Sequence, residues 1–451
     1  MNTLPKRASI LAIVLVSMAL FFPLATSEWP NEYKLPLIVV LLYASGEAIR
    51  RVSGLTGYGP VILWKGKGGF SIMRKLAKDH PRLFGELNDF GLTLCFGIPY
   101  SFYVFPRQWK KLAIHAVLVA LVFWGLQLSV VPQFDGLRGL LYALGLAGGL
   151  LGFGLSFTVL HALTILSAPT TTPAGVVPVV PGITIPFVEG LIAIFIAAVV
   201  HELSHGIIAL AEKLRLKSSG GLFLSFLPIG AFVEPDEEQF KKAHIHKKRR
   251  VLVAGSASNF AVFVIALILL TVAAPVLSST SEGLTISNVL TNGTAAGVLS
   301  EGDVLLSADG QMLRVPDDLK QVLDQHAPGQ QTQLSVRDRA GGLQQRQVTI
   351  GPGHKLGIYL EQEPAAKPGL ESVQSILAFL ARTIGLTGFL NFALSTVNLL
   401  PLFITDGHRL LQEELLYRLG PKREHVARLL AKVIGFATLA ILLINALPLV
   451  L

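Results

Sequence analysis

Charge is what this 451-residue chain has least of: Asp, Glu, Lys and Arg together make up 15% of it, against about 25% in an ordinary soluble domain. With 51% hydrophobic residues and a mean hydropathy of +0.58, that deficit argues for lipid around much of the chain. Cysteine is almost absent as well. Cys95 stands alone, which excludes an intrachain disulfide and any cysteine cluster holding a metal. The formal net charge is +9, a value that raises nucleic acid as a partner. The Lys and Arg residues, however, collect between apolar runs, the pattern of cytoplasmic loops. The partner implied is therefore the bilayer, and no nucleic acid is expected.

Runs of about 20 apolar residues are long enough to cross a bilayer. Nine such spans are predicted, at 9–27, 35–49, 87–106, 112–131, 137–166, 185–211, 251–277, 373–400 and 428–451. The first follows Lys6-Arg7 and ends near the small residues Ala25-Thr26-Ser27; it reads as a retained helix rather than a cleaved signal. With Lys6 and Arg7 inside, the basic loop from Arg50 to Glu86, the stretch Lys241 to Arg250 and Pro421-Lys422-Arg423 all fall inside. Arg107, Lys110 and Lys111 fall outside. That misfit points to one misread span among the first five, with 35–49, short and carrying Glu47, the first suspect. The glycine-rich run from Leu137 to Leu166 suits close helix packing in lipid, and 169–184, rich in Pro, Thr and Val, reads as an outside loop.

Residues 283–361 differ from everything else. Alternating apolar positions (Leu284 and Ile286, Leu334 and Val336, Val348 and Ile350) between Gly-rich turns predict a small soluble β-rich domain inserted between two spans. The fold class expected is thus an all-α polytopic membrane protein, with about nine transmembrane helices and an inserted β-rich domain. The domains expected are N-terminal transmembrane helices at 1–168, a core at 169–277, the β-rich insertion at 283–361, a further core helix at 373–410, and a C-terminal segment with the last helix at 411–451.

The chemistry centres on His201-Glu202-Leu203-Ser204-His205, inside the span 185–211. Residues four apart share one face of a helix, so two imidazoles there can bind one zinc ion (Zn2+), with Glu202 beside it to accept a proton from water. The five-residue pattern turns up by chance in on the order of one chain in a hundred. Three ionisable groups in a membrane helix are costly unless they serve a polar site; buried histidines bridging helices are the blander alternative. At ~1.5 Å per residue, His201 lies roughly 24 Å beyond Ile185, towards the cytoplasmic side. A catalytic zinc needs a third protein ligand and an open fourth position. The candidate is Asp406 in Asn398-Leu399-Leu400-Pro401-Leu402-Phe403-Ile404-Thr405-Asp406-Gly407, at a helix interruption of a kind tolerated where it lines a cavity. An ordinary Asp-Gly turn at a span end is the alternative.

HExxH in a membrane helix with a later NxxPxxxxDG resembles the site-2 protease family of intramembrane zinc metalloproteases. The likeness runs from Pro181-Gly182-Ile183-Thr184-Ile185-Pro186 through Pro228 to Pro235 and Gly255-Ser256-Ala257-Ser258-Asn259. It covers roughly 181–410, while Tyr58-Gly59-Pro60 and the basic loop after it look like the archaeal branch. Thr294 to Leu305, followed by the Asp309-Gly310 turn, resembles a PDZ domain of the circularly permuted bacterial type. The resemblance implies His201, His205 and Asp406 as zinc ligands and Glu202 as general base. It also implies Asn259 and Asn398 as residues that hold substrate or shape the site, although either asparagine serves equally as a bridge between helices. His408 stands where many members have glycine, which leaves its approach to the metal open. The stretch from Gly220 to Val233 would be a re-entrant hairpin that pairs with an unwound substrate strand. The implied activity is cleavage of single-span membrane proteins within or near their transmembrane helix, after another protease has trimmed them. The active site would face the cytoplasmic side of a prokaryotic cell membrane with the PDZ domain outside. Two rivals remain: a prenyl-protein-processing membrane metallopeptidase, and a non-proteolytic zinc-binding receptor or transporter. Against the second, holding zinc gives Glu202 no purpose.

Overall fold

The structure, a computed structural model, describes residues 3–27, 29–129, 138–361 and 364–449. The expected span ends at 130–131, 137 and 450–451 lie outside the described residues. The chain divides into two units: Met1–Ile265 with Leu386–Leu451, and Ala266–Gly385.

In the first unit, α1 (Thr3–Thr26) and α2 (Asn31–Ser53) lead into a hairpin of β1 (Thr56–Tyr58) and β2 (Val61–Gly66). Gly59 at its turn has φ +54°, a conformation open to glycine at little cost. The amphipathic α3 (Phe70–Asp79) buries Phe70, Met73 and Ala77. Then come α4 (Pro81–Val104), α5 (Trp109–Ser129), α6 (Arg138–Ser167) and α7 (Phe187–Ala211). A hairpin of β3 (Leu216–Leu224) and β4 (Leu227–Pro235) follows, joining the first to give an antiparallel sheet ordered β1-β2-β3-β4. The short α8 (Glu237–Lys242) is capped by Asp236, whose carboxylate accepts from the amides of Glu238 and Gln239. It leads into α9 (Ile245–Thr280).

Two of these helices fold back on themselves. Inside α4, Gly97 sits at φ +83°, ψ +174°, and Ser101 Oγ donates to Thr93 Oγ1 at 2.6 Å across the bend. In a straight helix eight residues span about 12 Å. Inside α6, Gly149 sits at φ +63°, and a Cβ on Gly152 would stand 2.8 Å from the Leu144 carbonyl oxygen, again eight residues away. The two bends meet: a Cβ on Gly97 would lie 2.4 Å from Ala147 O, and one on Gly149 2.4 Å from Cys95 C. Only glycine permits both the positive φ and this backbone-to-backbone approach.

The bend in α4 bears on the misfit in the basic residues. Lys111 Nζ, at the start of α5, bonds Asp89 at 2.7 Å, and Arg250, at the start of α9, bonds the same carboxylate at 2.7 Å. The two helices therefore start close to one another, at Asp89. Among the described residues, seven helical stretches are long and apolar enough to cross a membrane: Lys6–Ala25, Trp109–Leu126, Gly139–Ser167, Phe187–Ala211, Ile245–Thr280, Glu371–Val397 and Pro421–Leu449. The expected spans at 35–49 and 87–106 are not among them. The helix α2 carries Glu47, Arg50 and Arg51, and α4 carries Arg82, Glu86 and Asp89.

In the second unit α9 runs into a sheet of β5 (Ser281–Val289), β6 (Val304–Ala308), β7 (Gln311–Met312), β8 (Gln331–Arg337), β9 (Leu343–Thr349), β10 (Ile358–Leu360) and β11 (Ala365–Ala366). The path is β10-β5-β6-β8-β9, with β11 on β5 and β7 on β6, and the paired strands are antiparallel. Leu284, Ile286, Leu305, Leu334, Val336 and Val348 point into one core with Leu319, Val322 and Leu323 of α10 (Pro316–Asp324). Asp309 and Gly310, both at positive φ, make the tight turn between β6 and β7. The helix α11 (Glu371–Val397) returns the chain to the first unit, which ends with α12 (Asp406–Leu419) and α13 (Glu424–Ala446).

Candidate metal centre

The helix α7 carries both histidines on one buried face: His201 is 6% and His205 8% exposed. Their rings lie 4.8 Å apart at 75°. The stretch that follows α11 is irregular because Pro401 has no N–H to continue a helix. Thr405 then caps α12 by accepting from the amide of His408 at 3.3 Å, which puts Asp406 in the first helical turn, where the helix dipole favours a carboxylate. Gly407 has to be small: a Cβ there would stand 2.0 Å from Leu399 O.

These local choices bring three ligand atoms together. His201 Nε2 lies 3.2 Å from Asp406 Oδ2, His205 Nε2 3.0 Å from the same oxygen, and the two Nε2 atoms are 3.2 Å apart. Bonds of about 2.0–2.1 Å to a tetrahedral zinc imply ligand atoms roughly 3.3 Å from one another. The set therefore has the size of one face of such a site. Its chemistry fits too. His205 Nδ1–H donates to Val251 O at 2.7 Å, which leaves the Nε2 lone pair aimed at the other two donors. Lone pairs converging in this way repel unless a cation lies between them.

The other expected residues divide. Asn398 joins the cluster, its Nδ2 2.7 Å from His201 Nε2 and donating to Asp406 Oδ2 at 2.8 Å. Asn259 lies one turn away and bridges helices, donating to Ala197 O at 3.3 Å. Glu202 Oε2 accepts from the Val233 amide of β4 at 2.8 Å. His408 stays out of the cluster, its Nε2 paired with Gln412 at 2.9 Å. A cavity of about 520 Å3 opens onto His201, Glu202, Asn398 and Asp406 and is walled by Ala197 of α7 and Ala231 of β4.

Three contributors were not foreseen: the Val251 carbonyl, the Val233 amide and Gly255. A Cβ on Gly255 would lie 2.3 Å from His201 Cε1. Backbone groups carry no side-chain signature, and Gly255 is visible in the sequence only as part of a pattern.

A model of Peptidase family M50 matches residues 189–443, from α7 to α13. This chain belongs to peptidase family M50. That is the site-2 protease family, whose members are zinc metallopeptidases, and with seven candidate spans this M50 chain is an integral membrane protein. It is 30% identical over 261 residues to an uncharacterized protein of Methanocaldococcus jannaschii. The match covers 57% of the M50 chain and 66% of the relative, just under two thirds of the relative's length.

Proposed function

We propose that this chain is an intramembrane zinc endopeptidase that cleaves single-span membrane proteins within or near a transmembrane helix. The observation that carries the reading is the convergence of His201, His205 and Asp406 at 3.0–3.2 Å on a cavity that Glu202 also lines. His201, His205 and Asp406 would hold a zinc ion, which would supply Lewis acidity and acidify water near neutral pH. Glu202, steadied through Oε2 by the Val233 amide, is placed to take a proton from water and to return it to the leaving amine. Asn398 orients His201 and Asp406.

A helix hides its scissile carbonyl, so the substrate has to unwind. Among the described residues the strand β4 pairs only with β3, and its residue Ala231 borders the cavity. Strand addition along that edge would satisfy the backbone of an unwound substrate and present a peptide bond to the metal. In this reading residues 283–361 are a PDZ domain on the outer side of a prokaryotic membrane, docking or sizing the trimmed substrate end, with the active site towards the cytoplasm. A zinc-holding receptor or transporter is disfavoured by Glu202, which does not join the ligand cluster yet is fixed at its rim.

The test compares purified full chain with Glu202→Gln for bound zinc and for cleavage of trimmed single-span proteins. Zinc in both with cleavage only by the unaltered chain is expected. An unaltered chain without zinc, or a variant that cuts equally well, overturns the mechanism.

A further inference from the structure

The run Lys248-Arg249-Arg250 attracts notice in the sequence only as a marker of membrane side. In the structure each of its side chains is paired. Lys248 Nζ bonds Glu413 Oε2 at 2.8 Å, and Arg249 engages both carboxylate oxygens of Glu414. Arg250 grips Asp89 through Nε and Nη2 at 2.7 and 2.8 Å and Glu212 through Nη1 at 2.7 Å. These are interior contacts: Lys248 is 7%, Arg249 5% and Asp89 1% exposed.

Three of the four partners sit on or directly beside the elements that supply the metal ligands, and Asp89 lies on α4. Glu413 and Glu414 belong to α12, which begins with Asp406. Glu212 is the residue directly after α7, the helix of His201 and His205. The cations themselves precede the one turn of α9 against which both imidazoles are seated. Val251 O receives His205 Nδ1–H at 2.7 Å, and Gly255, four residues on, makes room for the His201 ring. A small slide of α9 therefore disturbs both ligands together. Buried ion pairs contribute little net stability, because desolvation offsets most of the attraction. Their geometry is nevertheless directional, and the forked guanidinium contacts define position more tightly than apolar packing does.

We propose that Lys248, Arg249 and Arg250, with Glu413, Glu414, Glu212 and Asp89, form a clamp of positioning residues that sets α7, α9 and α12 in the register the metal ligands need. The inference rests on the metal-site reading above. Its consequence is that loosening the clamp weakens metal retention, although no clamp residue reaches the ligand cluster.

The experiment loads the full chain in detergent with cobalt(II) as a spectroscopic substitute for zinc. It follows the visible spectrum and the rate of metal loss to a chelator for Glu414→Gln, for Arg249→Lys and for the charge swap Arg249→Glu with Glu414→Arg. Arg249→Lys keeps the charge but loses the fork, and it carries the test where Glu414→Gln fails to fold. Metal loss faster by about 10- to 100-fold, the range for altered ligand support, is expected for the single variants, with a changed spectrum and partial recovery in the swap. Arg428→Ala, at an exposed pair with Glu424 one helical turn away in α13, should leave both readouts unchanged. Single variants that hold cobalt like the unaltered chain, or a core variant such as Ile165→Ala that releases it equally fast, overturn the clamp while the metal site stands. An unaltered chain that binds no cobalt overturns both.

Discussion

Gly255 illustrates how narrowly single residues define this site. It lies on α9, outside the zinc-binding pattern, and its missing side chain is the space that the His201 ring occupies. Gly255→Ala would place a carbon 2.3 Å from His201 Cε1, closer than any unstrained contact, so the ring or α9 has to move. The expected outcome is a drop in zinc affinity of at least about tenfold, the order found when ligand orientation is disturbed, measured by competition with a chelator. Gly407, pressed against Leu399 O, holds Asp406 by the same means. In both places a backbone approach, rather than a charged side chain, decides where a ligand atom sits.

At the scale of elements, the bends in α4 and α6 are the least ordinary feature. A break in a helix at membrane depth frees backbone groups and is tolerated where protein covers it; here each break covers the other. Gly97→Val or Gly149→Val combines a disfavoured positive φ, worth about 1–3 kcal/mol, with a clash at 2.4 Å. Either variant should lower the thermal midpoint clearly in detergent. Gly148→Ala, with nothing within 4 Å of the added carbon, should not. Equal midpoints for Gly97→Val and Gly148→Ala would mean that the helices do not meet at these glycines. In the inserted sheet, β8 alternates buried and more exposed residues along its length.

For the whole molecule, the bends bear on which loops share a side of the membrane. The start of α5 and the start of α9 share Asp89 and so lie side by side. Cys95 is buried, which makes introduced cysteines readable. In sealed vesicles Lys110→Cys and Lys241→Cys should react with an impermeant maleimide from one side and Val177→Cys from the other. Labelling of Lys110→Cys and Lys241→Cys from opposite sides would return α4 to a full crossing.

The sequence by itself determined the parts of this protein that depend on residue type and short spacing. The charge deficit implied lipid, the i, i+4 histidines with an intervening glutamate named a metal helix, and period-two alternation in 283–361 foretold strands. Asp406 was legible only because a proline and an Asp-Gly step mark a broken helix. What tertiary structure alone decided depends on backbone meeting backbone or on charges paired across long separations. It bent α4 and α6 at glycines whose φ no composition reveals, and it joined Thr56–Gly66 to a sheet whose partners lie about 150 residues on. It also turned the basic run before Val251 from a surface marker into partly buried pairs with Asp89, Glu212, Glu413 and Glu414. The physical reason is the same in each case. A local pattern reports which face of an element is apolar, whereas a carbonyl, an amide or a missing Cβ acquires a role only when another element arrives within about 3 Å of it.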